Sequence, residues 1–199
     1  MHWIPYVLLG YFSGSVLFAR VMSGLLGKGD IYAGSKDCNP GASNAFTYGG
    51  LFCGLGTLAG DLLKGFVPVW LFRHSAAPMP SLALALVIAA PVLGHAFPIF
   101  YRLRGGKGIA VTFGCLLGLF PQWQPLGIFA GIFILLSTVI RVTPHFHRTI
   151  LSYLLALICM FLTGRSQEAI LGFGLITGIV LVRMHMSREP RERMLVRLF

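Results

Sequence analysis

The chain has 199 residues, of which 56% are hydrophobic and 11% charged, less than half the charged share of about 25% in soluble domains. That imbalance excludes a soluble globular protein, and it excludes disorder, which needs low hydrophobicity and high charge. The 16 Lys and Arg against 6 Asp and Glu leave a formal net charge of +10, which marks either a nucleic-acid partner or the basic loops of a membrane protein.

A membrane-crossing helix needs about 20 mainly apolar residues. The apolar runs predict seven crossings, and with short links these use up residues 1–199 as a single membrane-embedded domain. The first, at about 3–22, has no basic leader and no small-residue cleavage site, so it reads as a retained helix and not as a signal peptide. It is followed by a glycine-rich polar segment, Gly34-Ser35-Lys36-Asp37-Cys38-Asn39-Pro40-Gly41-Ala42-Ser43-Asn44, which leads straight into a helix.

The second run, at about 50–72, carries Asp61 and Lys64 three residues apart on one helical face. Ionisable groups in hydrocarbon are costly and usually face the bundle interior. The pair is either a structural clamp or an arrangement in which Lys64 faces a phosphate pocket while Asp61 holds it. The third run, at about 81–100, has His95 near one end, in Gly94-His95-Ala96-Phe97-Pro98. This histidine is a candidate general base or phosphate donor, or else a buried hydrogen-bonding residue.

Arg104-Gly105-Gly106-Lys107-Gly108-Ile109-Ala110 then opens the fourth run, at about 108–120, which is short for a crossing. The fifth covers about 125–140. The loop after it holds His145 and His147, read as interfacial residues because no carboxylate or cysteine ligand is close in sequence. The sixth and seventh runs cover about 149–163 and 168–184, and a basic tail with His185 closes the chain. Cys38, Cys53, Cys115 and Cys159 form no C-x-x-C pair, which points to reduced packing residues and no metal framework.

With seven crossings, 13 of the 16 basic residues fall on one side, Arg73 and Arg165 fall on the other, and Lys64 lies inside the second run. Basic loops stay cytoplasmic, so the N-terminus is placed outside and the C-terminus inside. The same bias accounts for the net charge through anionic lipid and leaves no need for nucleic acid.

Both glycine-rich segments then lie on the cytoplasmic side. Small residues let backbone N–H groups approach an anion, and the following helix start adds unpaired N–H groups and a positive dipole end. Lys107 and Arg104 add full charges there, so phosphate is the expected ligand type. A Walker A loop is excluded because Tyr101 and Gly108 stand where Gly and Ser or Thr are required. There is also no G-x-S-x-G, no H-E-x-x-H and no Ser-His-Asp signature. A transferase of lipid precursors fits such a site, and a carrier or flippase for phosphorylated lipid precursors fits nearly as well, although no internal repeat supports transport.

The order and spacing of Gly14-Ser15, Asn39-Pro40-Gly41-Ala42-Ser43-Asn44, Asp61-Leu62-Leu63-Lys64-Gly65, Gly94-His95-Ala96-Phe97-Pro98 and Arg104-Gly105-Gly106-Lys107-Gly108-Ile109-Ala110 resemble the bacterial acyl-phosphate:glycerol-3-phosphate acyltransferase (PlsY) family. The resemblance implies an all-α integral membrane protein of seven transmembrane helices in the bacterial inner membrane, with its active site facing the cytoplasm. It implies acyl transfer from acyl phosphate to the 1-hydroxyl of glycerol 3-phosphate, giving lysophosphatidic acid and inorganic phosphate, with no cofactor or metal. By the same resemblance, Lys107 and His95 are the catalytic candidates. Ser35, Lys36, Asn39, Gly41, Ser43, Asn44, Arg104, Gly105, Gly106 and Gly108 are the phosphate-binding candidates.

The chain departs from the family pattern in three places, one of them the turn after the fifth run, which reads Arg141-Val142-Thr143-Pro144 where the family has a serine-rich turn. Lys36, Asp37 and Cys38 stand between Ser35 and Asn39 where the family has one glycine, and Thr47 takes a usually basic position, so Lys36 is the candidate to replace that charge. In the tail, His185 matches a family histidine, but Arg188 stands where the family has asparagine. A divergent active enzyme is favoured over a paralogue of low activity because Lys107, Asn39 and the glycines all remain.

Overall fold

The computed structural model describes residues 2–31, 35, 37–76, 80–164, 166–187 and 191–198. Every apolar run forms a helix. The first is broken, with α1 (Ile4–Gly14) and α2 (Phe18–Leu25) meeting at 45°. The polar segment leads into α3 (Ala42–Gly49), separated from α4 (Leu51–Arg73) by Gly50. At φ +84° Gly50 has a backbone conformation that suits a residue without Cβ. Then follow α5 (Ser81–Ala96), a 3-10 turn at Ile99–Tyr101, α6 (Ile109–Leu117), α7 (Gln124–Thr138), α8 (His145–Thr163) and α9 (Gln167–Met186).

Among the described residues, four stretches have the length and apolarity to cross a bilayer: α4, Ser81–Tyr101, α8 and α9, with the bent α1–α2 pair as a fifth. The expected fourth run yields only the 9 residues of α6, about 14 Å at the helical rise, or half of the hydrocarbon thickness. The 15 residues of α7 also fall short.

Two features depart from the purely helical expectation. The end of the fifth run is not helical: Ile140–Thr143 form β1, which pairs antiparallel with β2 (Leu195–Leu198), setting Arg141 opposite Arg197 and Val142 opposite Val196. Ile140, Val142 and Thr143 are β-branched and suit a strand better than a helix end. The sixth helix also starts earlier than expected, directly after Pro144, so His145 and His147 lie in its first turn and not in a loop.

The centre of the bundle is α5, most of whose residues are buried, with α1, α4, α6 and α9 packed around it. Inside hydrocarbon, helices associate through close backbone approach and not through a hydrophobic drive. A Cβ on Gly14 would lie 2.2 Å from the Pro91 carbonyl oxygen, and one on Gly94 would lie 2.1 Å from that of Tyr11, so both glycines are required where α1 crosses α5. On the other side, α4 and α6 meet in the same way, through Gly65 and Gly114.

Between α6, α7, α8 and α9 the interior is aromatic. The Phe129 ring lies 4.7 Å from Tyr153 and 5.3 Å from Phe173, and the Tyr153 hydroxyl shares a 2.8 Å hydrogen bond with Thr112 Oγ1. Both residues are fully buried; Thr112 Oγ1 also donates to the Gly108 carbonyl at 2.9 Å, so loss of the Tyr153 hydroxyl removes one bond without stranding the threonine. Tyr153→Phe is expected to cost about 1 kcal/mol, read as a lower unfolding temperature in detergent, with activity retained.

Candidate active site

Two helix starts and one cation converge on a cavity of about 310 Å³. Ala42, Ser43 and Asn44 of the first turn of α3 line it from one side, and Gly108, Ile109 and Ala110 at the start of α6 line it from the other. The N-cap residues are Gly41 and Gly108, and neither supplies a side-chain cap to its helix. The positive dipole ends of two helices therefore face one space, and Lys107, 7% exposed, adds a full positive charge. Such an arrangement suits an anion with several oxygens.

The Gly105-Gly106-Lys107-Gly108 loop is folded back onto the end of α5. A Cβ on Gly105 would lie 1.8 Å from the His95 carbonyl oxygen, and one on Gly106 would lie 2.3 Å from His95 Nε2. Gly106 N–H donates to that His95 carbonyl at 3.0 Å, and Lys107 N–H donates to Asn39 Oδ1 at 3.2 Å. These glycines are thus needed for loop packing, and two of the amides expected to cradle phosphate are already engaged. Arg183 of α9 donates to the Gly105 carbonyl oxygen and fastens the loop from the opposite side.

Asp61, Lys64 and His95 form a buried cluster at the floor. The Lys64 ammonium lies 2.8 Å from Asp61 Oδ1, 2.8 Å from His95 Nδ1 and 2.6 Å from the carbonyl oxygen of Val16 in the break between α1 and α2. Lys64 is thus held internally by one ion pair and two hydrogen bonds. Asp61 and His95 line the cavity, whereas Lys64 lines a separate apolar groove between α1 and α4. The arrangement in which Lys64 faces the phosphate pocket is therefore not the one adopted. An ammonium only donates, so His95 Nδ1 must accept and the neutral ring carries its proton on Nε2, the atom beside Gly106. His95 is thus placed as a hydrogen-bond donor at the cavity wall.

The other candidates divide. Asn39, Gly41, Ser43, Asn44, Lys107 and Gly108 line the cavity. Gly105 and Gly106 are buried behind it, Ser35 is buried away from its lining, and Arg104 is exposed outside it. His185 is exposed too, its Nδ1 3.2 Å from the Leu181 carbonyl oxygen and its ring beside Phe146. Lys36 and Arg188 lie outside the described residues. Among the described residues, no group of three or more His, Cys, Asp and Glu is placed to hold a metal ion.

Three residues of this region are not among the site candidates that the sequence offers. His145 lines the cavity, with Thr149 Oγ1 2.9 Å from its Nδ1. Arg183 is the loop fastener. Asp37 stands at the centre: its Oδ2 lies 2.9 Å from Lys107 Nζ, and its Oδ1 accepts from Asn44 Nδ2 at 2.8 Å and from Asn39 N–H at 3.3 Å. Partial burial pushes the Asp37 carboxyl up, but the Lys107 charge and the hydrogen bonds from Asn44, Lys107 and Asn39 outweigh it and hold it below the usual 3.8.

Known proteins match this chain along nearly its whole length. Residues 4–193 match the family described as glycerol-3-phosphate acyltransferase. A glycerol-3-phosphate acyltransferase of Burkholderia lata is 45% identical over 115 residues, 57% of this chain and 52% of that protein. The chain thus spans about half the length of the first curated relatives it matches. One of Burkholderia ambifaria is 37% identical over 184 residues, covering 89% of this chain and 81% of the relative. A crystal structure of PlsY, an integral membrane glycerol 3-phosphate acyltransferase in its glycerol 3-phosphate form, superposes with TM-score 0.75 at 25% identity, over 94% of this chain and 90% of that one. The lysophosphatidic acid form gives 0.72 at 24%, over 92% and 88%. Together with its long apolar helices, these matches make the chain a multi-pass membrane protein. It belongs to the glycerol-3-phosphate acyltransferase family.

Proposed function

We propose that this protein transfers a fatty acyl group from acyl phosphate to the 1-hydroxyl of glycerol 3-phosphate, forming lysophosphatidic acid and inorganic phosphate for phospholipid synthesis. The observation that carries this reading is the convergence of Lys107 and two helix N-termini on a single cavity in a membrane bundle. Such a cavity suits anionic head groups, and acyl phosphate brings its own leaving group, so the enzyme's task is to position two anions and stabilise charge.

In the reaction, the substrate hydroxyl oxygen attacks the acyl carbonyl carbon and the bond from that carbon to the phosphate oxygen breaks. The hydroxyl proton passes to a phosphate oxygen of the substrate, so no nucleophilic serine is required. Lys107 neutralises phosphate charge, Asn39 and Asn44 fix the loop around it, and the Nε2 proton of His95 is offered to a phosphate or developing oxyanion. The Asp61–Lys64 pair supports His95 from below. We further place seven membrane crossings with the N-terminus outside and the active site at the cytoplasmic face of the bacterial inner membrane. The bias of basic residues supports that orientation, and it requires the bilayer to thin or be shielded around α6 and α7.

The test is to incubate the purified full chain with palmitoyl phosphate and labelled glycerol 3-phosphate. Labelled lysophosphatidic acid is the expected product. If no acyl product forms with phosphate, CoA or carrier-protein donors while liposomes holding the protein accumulate phosphorylated solute, the protein is a carrier instead.

A further inference from the structure

Lys107 does not stand open in the cavity: the groups best suited to hold a phosphate already converge on a carboxylate of the chain itself. Asp37 Oδ2 faces Lys107 Nζ at 2.9 Å, while Oδ1 takes the Asn44 amide at 2.8 Å and the Asn39 N–H at 3.3 Å. Two carboxylate oxygens thus engage a cation, a side-chain amide and a backbone amide, as two oxygens of a phosphate monoester would. The Asp37 side chain is 17% exposed and lines the cavity, so it sits at the position an incoming anion must reach.

We propose that Asp37 is a tethered competitor that fills the phosphate subsite of the empty protein and must be displaced by substrate phosphate. This rests on the proposed reading of the cavity as a phosphate site, and it adds a determinant of affinity and of selectivity. A phosphate dianion cannot settle beside Lys107 while a second negative charge holds the same donors, because like charges a few ångströms apart repel strongly where water is sparse. A carboxylate held on the chain acts at high effective concentration. A free monocarboxylate offers nothing that Asp37 does not already supply, whereas a phosphate brings a second charge and a third oxygen. The subsite therefore rejects carboxylates, and Lys107 is never left as a buried uncompensated cation in the empty state. Because Lys107 and the three hydrogen bonds keep the carboxyl ionised below its usual range, the competitor is present throughout the neutral range.

The test uses the full-length protein with Asp37→Asn, which preserves shape and removes charge. Glu192→Gln, on the C-terminal segment away from the cavity, serves as a control for net charge. Binding of inorganic phosphate is measured by titration calorimetry, without turnover, and KM and kcat for glycerol 3-phosphate are measured in parallel. In Asp37→Asn, the phosphate dissociation constant and KM are expected to fall roughly tenfold, the worth of one charge contact, and acetate is expected to become an inhibitor. Glu192→Gln should change neither.

Unchanged or weaker phosphate binding in a folded Asp37→Asn protein overturns the proposal and makes the contact a structural ion pair. A fall in kcat of a hundredfold or more with unchanged KM overturns it in favour of a proton-accepting role. Asp37→Ala, which also removes the hydrogen bonds, should tighten phosphate as well; if only Asp37→Asn does so, lost charge is not the cause. Tighter phosphate in the variant with no acyl product from the wild-type protein would leave this proposal standing and remove the proposed reaction.

Discussion

Lys107→Ala is expected to lower kcat/KM for lysophosphatidic acid formation by a factor of about 10² to 10³, the usual cost of removing one preorganised charge stabiliser from an active site. Among the described residues, Lys107 is the lysine or arginine that lines the cavity, and its own N–H is anchored on Asn39. Lys107→Arg should recover little, because the guanidinium is a planar fork and the space was shaped around a point charge. The alanine variant should still fold, since Asp37 is partly exposed and keeps its bonds to Asn44 and Asn39. A steady-state assay with palmitoyl phosphate, paired with a melting curve, separates the two effects. Wild-type turnover in Lys107→Ala would remove the residue from the mechanism.

Lys64→Met carries the largest expected loss of stability. It leaves the Asp61 carboxylate, 2% exposed, without its cation, and strips the donor from His95 Nδ1 and from the Val16 carbonyl. Breaking a buried ion pair by removing one partner typically costs about 3 to 5 kcal/mol. Replacing both members by apolar residues of similar volume is often close to neutral. The double variant Lys64→Met with Asp61→Leu is therefore expected to regain most of the melting temperature that the single variant loses, while staying inactive because His95 has lost its support. A single variant as stable as the wild type would mean that the pair is solvated and not a structural clamp.

The parts of this site that were legible in the sequence are those whose partners lie close in the chain or whose chemistry is extreme. Asp61 and Lys64 are neighbours on one helical face, and their pairing followed from the cost of charge in hydrocarbon. The glycine-flanked Lys107 stood out against an apolar background. The contact between Asp37 and Lys107 spans 70 positions and that between Arg183 and Gly105 spans 78, and neither leaves a periodic trace. In sequence Arg183 is one more basic residue near the end of an apolar run. In sequence Asp37 is part of a lengthened loop, and its one distinguishing signal is an acidic residue beside a phosphate-type motif. The glycines have a second role that the motif does not show: Gly105 and Gly106 pack against His95 with no room for a Cβ, and the Gly106 N–H is spent on the His95 carbonyl. Likewise, a run rich in β-branched residues at 140–143 belongs to a strand, which apolarity alone does not reveal.

The bond from Arg183 to the Gly105 carbonyl limits how the chain can be divided. Nearly all the recognisable motifs precede residue 111, yet the loop that carries Lys107 is clasped by the last long helix. A shortened chain ending before α9 would retain the signature and lose the clasp, together with the surface of α5 that α9 covers. The family motifs are therefore concentrated in the first 110 residues, while the packing that holds the Lys107 loop in place extends to α9.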